Sequence, residues 1–276
     1  MYMWLSIEGD MIKLIVSDID GTLVPDGGSA SALNPEYYDV IRELKRKNIT
    51  FAACSGRQFL SMYRVFEPVA EHMYFISEGG GVVSNGRGEV LHSATLDPDT
   101  VREILVDAKR IPQMDIMVAG VKRAYCRSKD SEMYRWMVDD YRFDIEAVGD
   151  LENGIDDDVA KVSLYHHYAA EALTKDWFAP KWGKRVKAVL AGKQWLDLVS
   201  VESGKGIALS FLQKKLGIKR EETIVFGDNQ NDIEMFQVAG HSYAVGGARR
   251  EVLEASDTVC GTMESDGVLT VLKNLF

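Results

Sequence analysis

The chain has 276 residues, 46% hydrophobic and 27% charged, the composition of an ordinary globular protein with one large or two modest domains. Its formal net charge of −10 excludes an extended nucleic-acid backbone as the expected partner. No run approaches the ~18 apolar residues that span a bilayer, which excludes a membrane pump, and Cys54, Cys126 and Cys260 are too few and too widely spaced for a disulfide framework or a thiolate metal site and fit a reducing cytoplasm.

In chain order, Met1–Leu5 is apolar but short, lacks a basic flank and is followed by Glu8 and Asp10, so it does not read as a signal peptide. The apolar run Ile12–Val16 reads as a strand that delivers Asp18-Ile19-Asp20-Gly21-Thr22 into a tight turn. Asn34 as N-cap and Pro35 in first helical position open a helix running to about Lys47. Ile49–Cys54 is a second buried-looking strand, ending in Ser55-Gly56-Arg57. A helix to about Phe66 and a third strand, Met73–Ile76, lead to Ser77-Glu78-Gly79-Gly80-Gly81. Strands alternating with helices predict βαβ units in a parallel sheet. Asn85-Gly86 and Gly88, between Val82-Val83 and Val90-Leu91, predict a hairpin.

After Thr95 the rhythm changes. Helical 98–110, strand-like 115–126, helical 130–141, strand-like 159–165, helical 169–182 and strand-like 185–190 segments read as an inserted α+β domain rich in Lys and Arg. Arg123, Tyr125 and Arg127 alternate onto one face of a predicted strand, where they would either meet a phosphorylated metabolite or form a solvated face. The parallel alternation is expected to resume near Trp195–Val199, followed by a helix over 204–216 and a strand at Thr223–Phe226. The expected boundaries are therefore a core over 1–94, an inserted domain over 95–188 and a second core part over 189–276. The fold class is α/β, a Rossmann-like doubly wound parallel sheet carrying that insertion.

Three predicted core strands end in polar groups: Asp18, Ser55 and Gly227-Asp228. Ligands of open α/β sheets bind beyond the carboxyl ends of the strands, which gathers these groups in one crevice. Asp18 and Asp20, two apart, share one side where the strand ends. Two carboxylates on one side repel, and a hard divalent cation such as Mg²⁺ neutralises them most simply. The blander reading is an Asx turn with both acids solvated. The stretch that opens at Asp228 is not an EF-hand loop, because its sixth position is Ile233 rather than Gly and its twelfth is Ala239 rather than Glu. Ser203-Gly204-Lys205-Gly206 is not a P-loop either: Val199 stands where the first Gly belongs, and Gly206 where a Ser or Thr would hold metal. Taken alone, Lys205 could equally be a solvated lysine at a helix start.

Asp18-x-Asp20-Gly-Thr22, Ser55-Gly-Arg57, Lys205 and Gly227-Asp228-x-x-Asn231-Asp232 occur in the order found in haloacid dehalogenase-like hydrolases, and the chain most resembles the Cof-type (IIB) phosphatases. The 150 residues between Ser55 and Lys205 (205 − 55) accommodate the large α/β cap of that class. The resemblance implies a Mg²⁺-dependent phosphatase acting on a small phosphorylated metabolite through an aspartyl-phosphate. Asp18 is then the nucleophile and Asp20 the acid/base; Asp18, Asp20 (through its carbonyl) and Asp228 hold the metal; Ser55, Gly56, Thr22 and Lys205 receive the phosphate; Asn231 and Asp232 support them. Arg57 is either a further phosphate contact or a helix-surface ion pair. A phosphomutase of the same superfamily and a non-catalytic phosphometabolite-binding protein are the alternatives. Relatives carry Asn-Gly-Ala where this chain has Gly79-Gly80-Gly81, so any contact from that Asn is missing here.

Overall fold

The computed structural model describes residues 6–7, 10–26, 33–191 and 193–275; the apolar opening at 1–5 lies outside them. The chain forms two compact units, Met1–His92 with Gly204–Phe276, and Ser93–Ser203. Among the described residues no helix is long and apolar enough to cross a membrane.

The first unit is built on strands β1 (Leu14–Ser17), β2 (Thr50–Cys54), β3 (Met73–Ser77), β4 (Val82–Asn85) and β5 (Val90–Ser93). β1 is buried along its whole length, as expected of a Leu-Ile-Val run in a sheet covered on both faces. Helix α1 (Glu36–Arg46) buries Tyr37, Val40, Ile41 and Leu44, spaced as one helical stripe, and Asn34 Oδ1 accepts the Glu36 N–H at its start. Helix α2 is Phe59–Phe66. Phe59, Phe66 and Phe75 stack in tilted and edge-on pairs beneath it.

The second unit begins with α3 (Pro98–Ala108), whose Asp97 N-cap accepts the Thr100 N–H. It continues through β6 (Asp115–Gly120), β7 (Ala124–Cys126), α4 (Glu132–Asp139), β8 (Ile145–Ala147) and β9 (Val159–Tyr165). Helices α5 (Ala170–Leu173) and α6 (Ala179–Trp182), joined by a π-helical turn, precede β10 (Val186–Leu190) and β11 (Trp195–Ser200). The sheet order is β8-β7-β6-β9-β11-β10, antiparallel except where β8 meets β7.

Trp195–Val199 was expected to resume the core's parallel alternation, and the strand that forms there, Trp195–Ser200, does not. It runs antiparallel to both β9 and β10, in a hairpin closed by the Ala191 N–H on the Trp195 carbonyl. Leu196 and Leu198 are buried while Trp195 and Asp197 are partly exposed, the alternation of an antiparallel strand rather than of a fully covered parallel one. The inserted unit therefore extends to Ser203 instead of ending at 188. The strand-like stretch 115–126 also resolves into two strands, folded back through the Gly120 N–H on the Arg123 carbonyl. The cations expected on that face are neutralised within the unit. Arg123 pairs with Asp144 and Glu146, and Arg127 with Glu152.

The chain returns to the first unit with α7 (Lys205–Leu216), β12 (Thr223–Gly227), α8 (Ile233–Val238), β13 (His241–Ala244), α9 (Arg250–Ala255), β14 (Thr258–Val259) and α10 (Gly267–Asn274). Its sheet order is β14-β13-β12-β1-β2-β3-β4-β5, parallel from β14 to β3. Side chains of α1, α2 and α10 share one core with Ile15, Phe51 and Phe226, and those of α7, α8 and α9 share another with Leu14, Val16 and Val225. The sheet is doubly wound. Its order reverses between β1 and β12, the position at which such sheets open a crevice at their carboxyl ends.

Candidate active site

Asp18 follows β1 and Asp228 follows β12, so the reversal brings the two acids side by side. The Asp18 N–H donates to the Phe226 carbonyl at 3.0 Å, which ties the two strand ends together. Gly21, at φ +80°, turns the loop back; a Cβ there would lie 2.5 Å from Asp228 Oδ2. The loop therefore needs glycine both for its backbone and for the room it leaves beside that carboxylate.

Lys205, the first residue of α7, is 2% exposed and donates at 2.6 Å to both Asp18 Oδ1 and Asp232 Oδ1. Asp232 Oδ2 accepts the N–H groups of Asp228 and Asn229, so this fully buried carboxylate organises the loop after β12. The sequence expected Thr22 at the phosphate. It is instead 1% exposed and donates to Asp228 Oδ1 at 2.7 Å, bracing that acid. Asn231 is exposed, and its amide joins none of these hydrogen bonds.

Asp20 is engaged separately. Arg57 Nη2 and Nε donate to its Oδ1 at 2.6 Å and its Oδ2 at 2.8 Å, while Ser55 Oγ lies 3.4 Å from Oδ2. Arg57 is thus a buried bidentate partner of Asp20, neither on a helix surface nor directed outward. No sequence signal identified this pair. Ser55 is buried and Gly56 is exposed in the same loop. The Glu78 and Gly79 N–H groups donate to the carbonyls of Arg57 and Ser55. A Cβ on Gly80, at φ +100°, would lie 2.2 Å from the Gly204 carbonyl. The glycine run lets this loop approach the start of α7.

The electrostatics ask for more positive charge than Lys205 supplies. Burial, with Asp232, Asp228 and Asp20 nearby, holds the Asp18 carboxyl well above its usual range despite the opposing pull of Lys205. Burial likewise pushes Asp228 up to about 6. Burial alone would lower Lys205, but Asp18 and Asp232 outweigh it and keep the ammonium protonated. Carboxylate oxygens of Asp18, Asp228 and Asp232 lie within 4.8 Å of one another. An all-oxygen donor set with excess negative charge fits a hard divalent cation. Asp232 is fully buried and both of its oxygens already accept hydrogen bonds, which leaves Asp18 and Asp228 as the better placed donors.

The family model of the haloacid dehalogenase-like hydrolases matches residues 15–272, across both units. The chain belongs to this family. The 5-amino-6-(5-phospho-D-ribitylamino)uracil phosphatase YbjI of Escherichia coli (strain K12) is 28% identical over 262 residues, 95% of each chain. Phosphatase YwpJ of Bacillus subtilis (strain 168) is 26% identical over 290 residues, 96% of this chain and 100% of its own. A solved structure from Eubacterium rectale is 36% identical, covers 96% of this chain and 99% of its own, and superposes with a TM-score of 0.87. The chain is thus an enzyme of a hydrolase family in which these two bacterial relatives are phosphatases, and the resemblance carried by its four motifs holds over nearly its full length.

Proposed function

We propose that this hydrolase releases phosphate from small phosphate monoesters, a sugar phosphate or a similar metabolite, through an aspartyl-phosphate, with Mg²⁺ as cofactor. The observation that carries the reading is the buried contact of Lys205 with Asp18 and Asp232, beside Asp228, at the reversal of strand order. The phosphorylated ribityl chain, an open-chain sugar alcohol, in the substrate for which one relative, YbjI, is named supports the substrate class.

Asp18 attacks phosphorus with Oδ2, the oxygen that does not accept from Lys205; the bond from phosphorus to the ester oxygen breaks, and Asp20, entering the step in its protonated form, gives that proton to the leaving alkoxide. Asp20 then takes a proton from water, which attacks phosphorus and regenerates Asp18 with release of inorganic phosphate. Ser55, the backbone at Gly56 and Lys205 steady the phosphate oxygens, and Asp232 holds Lys205 for that purpose. Asp18, the carbonyl of Asp20 and Asp228 would hold Mg²⁺, with Thr22 bracing Asp228. When bound, the cation offsets the repulsion between the Asp18 carboxylate and a dianionic phosphate. The test is phosphate release from a panel of esters with and without Mg²⁺: turnover that needs the metal is expected, and full turnover in excess EDTA overturns the metal assignment.

A further inference from the structure

Each of the two acids of the Asp18-Ile19-Asp20 turn has its own buried cation. Lys205 holds Asp18 and Arg57 holds Asp20. We propose that Arg57 is a positioning residue for Asp20: its guanidinium fixes the plane of the acid/base carboxylate, so that Arg57 affects the reaction through Asp20 and not through substrate phosphate. This inference rests on the phosphatase reading above.

Three observations carry it. First, the Arg57 side chain is 3% exposed, and its Nε and Nη2 each donate to a different oxygen of the same carboxylate, so the plane of the guanidinium is committed to Asp20. A planar fork sets the orientation of a carboxylate as well as its distance, which a lysine ammonium does not do. Second, the Asp20 side chain is 19% exposed against 7% for Asp18, so surrounding atoms confine it less and a directional partner is needed to restrict its rotamers. Third, the fork starts from an anchored backbone. The Arg57 N–H donates to Ser55 Oγ at 3.2 Å, and its carbonyl accepts the Glu78 N–H at 2.9 Å. A proton donor displaced by an ångström loses much of its effect, so a residue that fixes Asp20 bears on turnover more than on binding.

The experiment is a double-mutant cycle of Arg57→Ala and Asp20→Asn in the full chain, with saturating Mg²⁺ and with β-glycerophosphate and p-nitrophenyl phosphate as probes. Arg57→Ala is expected to lower kcat on β-glycerophosphate by on the order of 10²-fold, the low end of positioned acid/base catalysis, with KM within about threefold. The loss should be smaller on p-nitrophenyl phosphate, whose leaving group needs little protonation. Asp20→Asn with Arg57→Ala should be within about threefold of Asp20→Asn alone, because the second change removes only what acted through the first. Arg57→Lys should recover part of kcat. A raised KM at unchanged kcat, or losses that multiply in the double variant, would overturn the inference while leaving the phosphatase reading standing. If Arg57→Ala does not fold by circular dichroism, Arg57→Lys and Arg57→Gln enter the same cycle with the same two outcomes. A wild-type protein that turns over neither ester overturns the phosphatase reading and this inference with it.

Discussion

The side chains of Lys205 and Asp232 meet at 2.6 Å with 2% and 0% of their surface exposed, an ion pair withdrawn from water at the start of α7. The same Nζ donates to Asp18 Oδ1, also at 2.6 Å, so one ammonium serves two buried acids, of which Asp232 also accepts the N–H groups of Asp228 and Asn229. Removing one member of such a group leaves buried charge without compensation. Lys205→Met should therefore abolish turnover and destabilise the metal-free protein by about 3–5 kcal/mol, the usual effect of breaking a buried pair. Urea unfolding in EDTA measures this; a change under about 1 kcal/mol, the range of a surface pair, would mean that the lysine is not structurally engaged.

Thr22 and Asp228 give a prediction about metal affinity. The hydroxyl donates to the carboxylate from a position that is 1% exposed, so Thr22→Val removes a hydrogen bond and little volume. Outer partners of metal ligands are commonly worth 10–100-fold in affinity, so Mg²⁺ binding by titration calorimetry should weaken by about that factor. Unchanged affinity would separate Asp228 from the metal.

Gly80 tests the glycine loop. Gly80→Ala places a methyl 2.2 Å from the Gly204 carbonyl and puts an L-residue at φ +100°, which costs about 1–3 kcal/mol from the backbone alone. Stability and kcat should fall together, because the displaced backbone is the one that leads into Lys205. Retention of both would show that the loop moves aside freely.

The inserted unit carries the clearest pH prediction. Asp107 is 3% exposed and accepts from Lys181 on one oxygen and from the indoles of Trp177 and Trp182 on the other. Burial alone would raise its pKa, but these hydrogen bonds together outweigh burial and hold it below 3.8. A depressed folded pKa means that the unfolded chain binds the proton more readily. The contribution is thus complete above the unfolded value and is lost as pH falls through the folded one. Asp107→Asn should lower the thermal midpoint at pH 7 and flatten its decline below about pH 4, followed by tryptophan fluorescence. An unchanged acid limb would assign that decline to other carboxylates.

The parts legible in the sequence are those set by local pattern. Runs such as Leu14–Ser17 and Thr223–Gly227 are buried on both faces and end in acids, and the rule for open sheets gathers those ends without knowledge of side-chain geometry. Trp195–Val199 reads as a core strand because a short, mostly apolar segment does not announce which sheet it joins; its antiparallel partners are set by the hairpin with β10. Arg57 and Asp20 stand 37 positions apart on different loops, and nothing in either loop encodes the fork. Arg123 and Arg127 looked available for substrate because their acids, Asp144, Glu146 and Glu152, come from segments that only the fold makes adjacent. Thr22 was legible as a site residue but not as a partner of Asp228, which lies 206 positions away.

Trapping the covalent intermediate tests the account most directly. Rapid acid quench during turnover of a phosphate ester, followed by peptide mass spectrometry, should find the phosphoryl group on Asp18 and on no other residue, and Asp18→Asn should show neither the adduct nor phosphate release. Phosphate release by Asp18→Asn at near the wild-type rate, or a phosphoryl group on a different side chain, would contradict it.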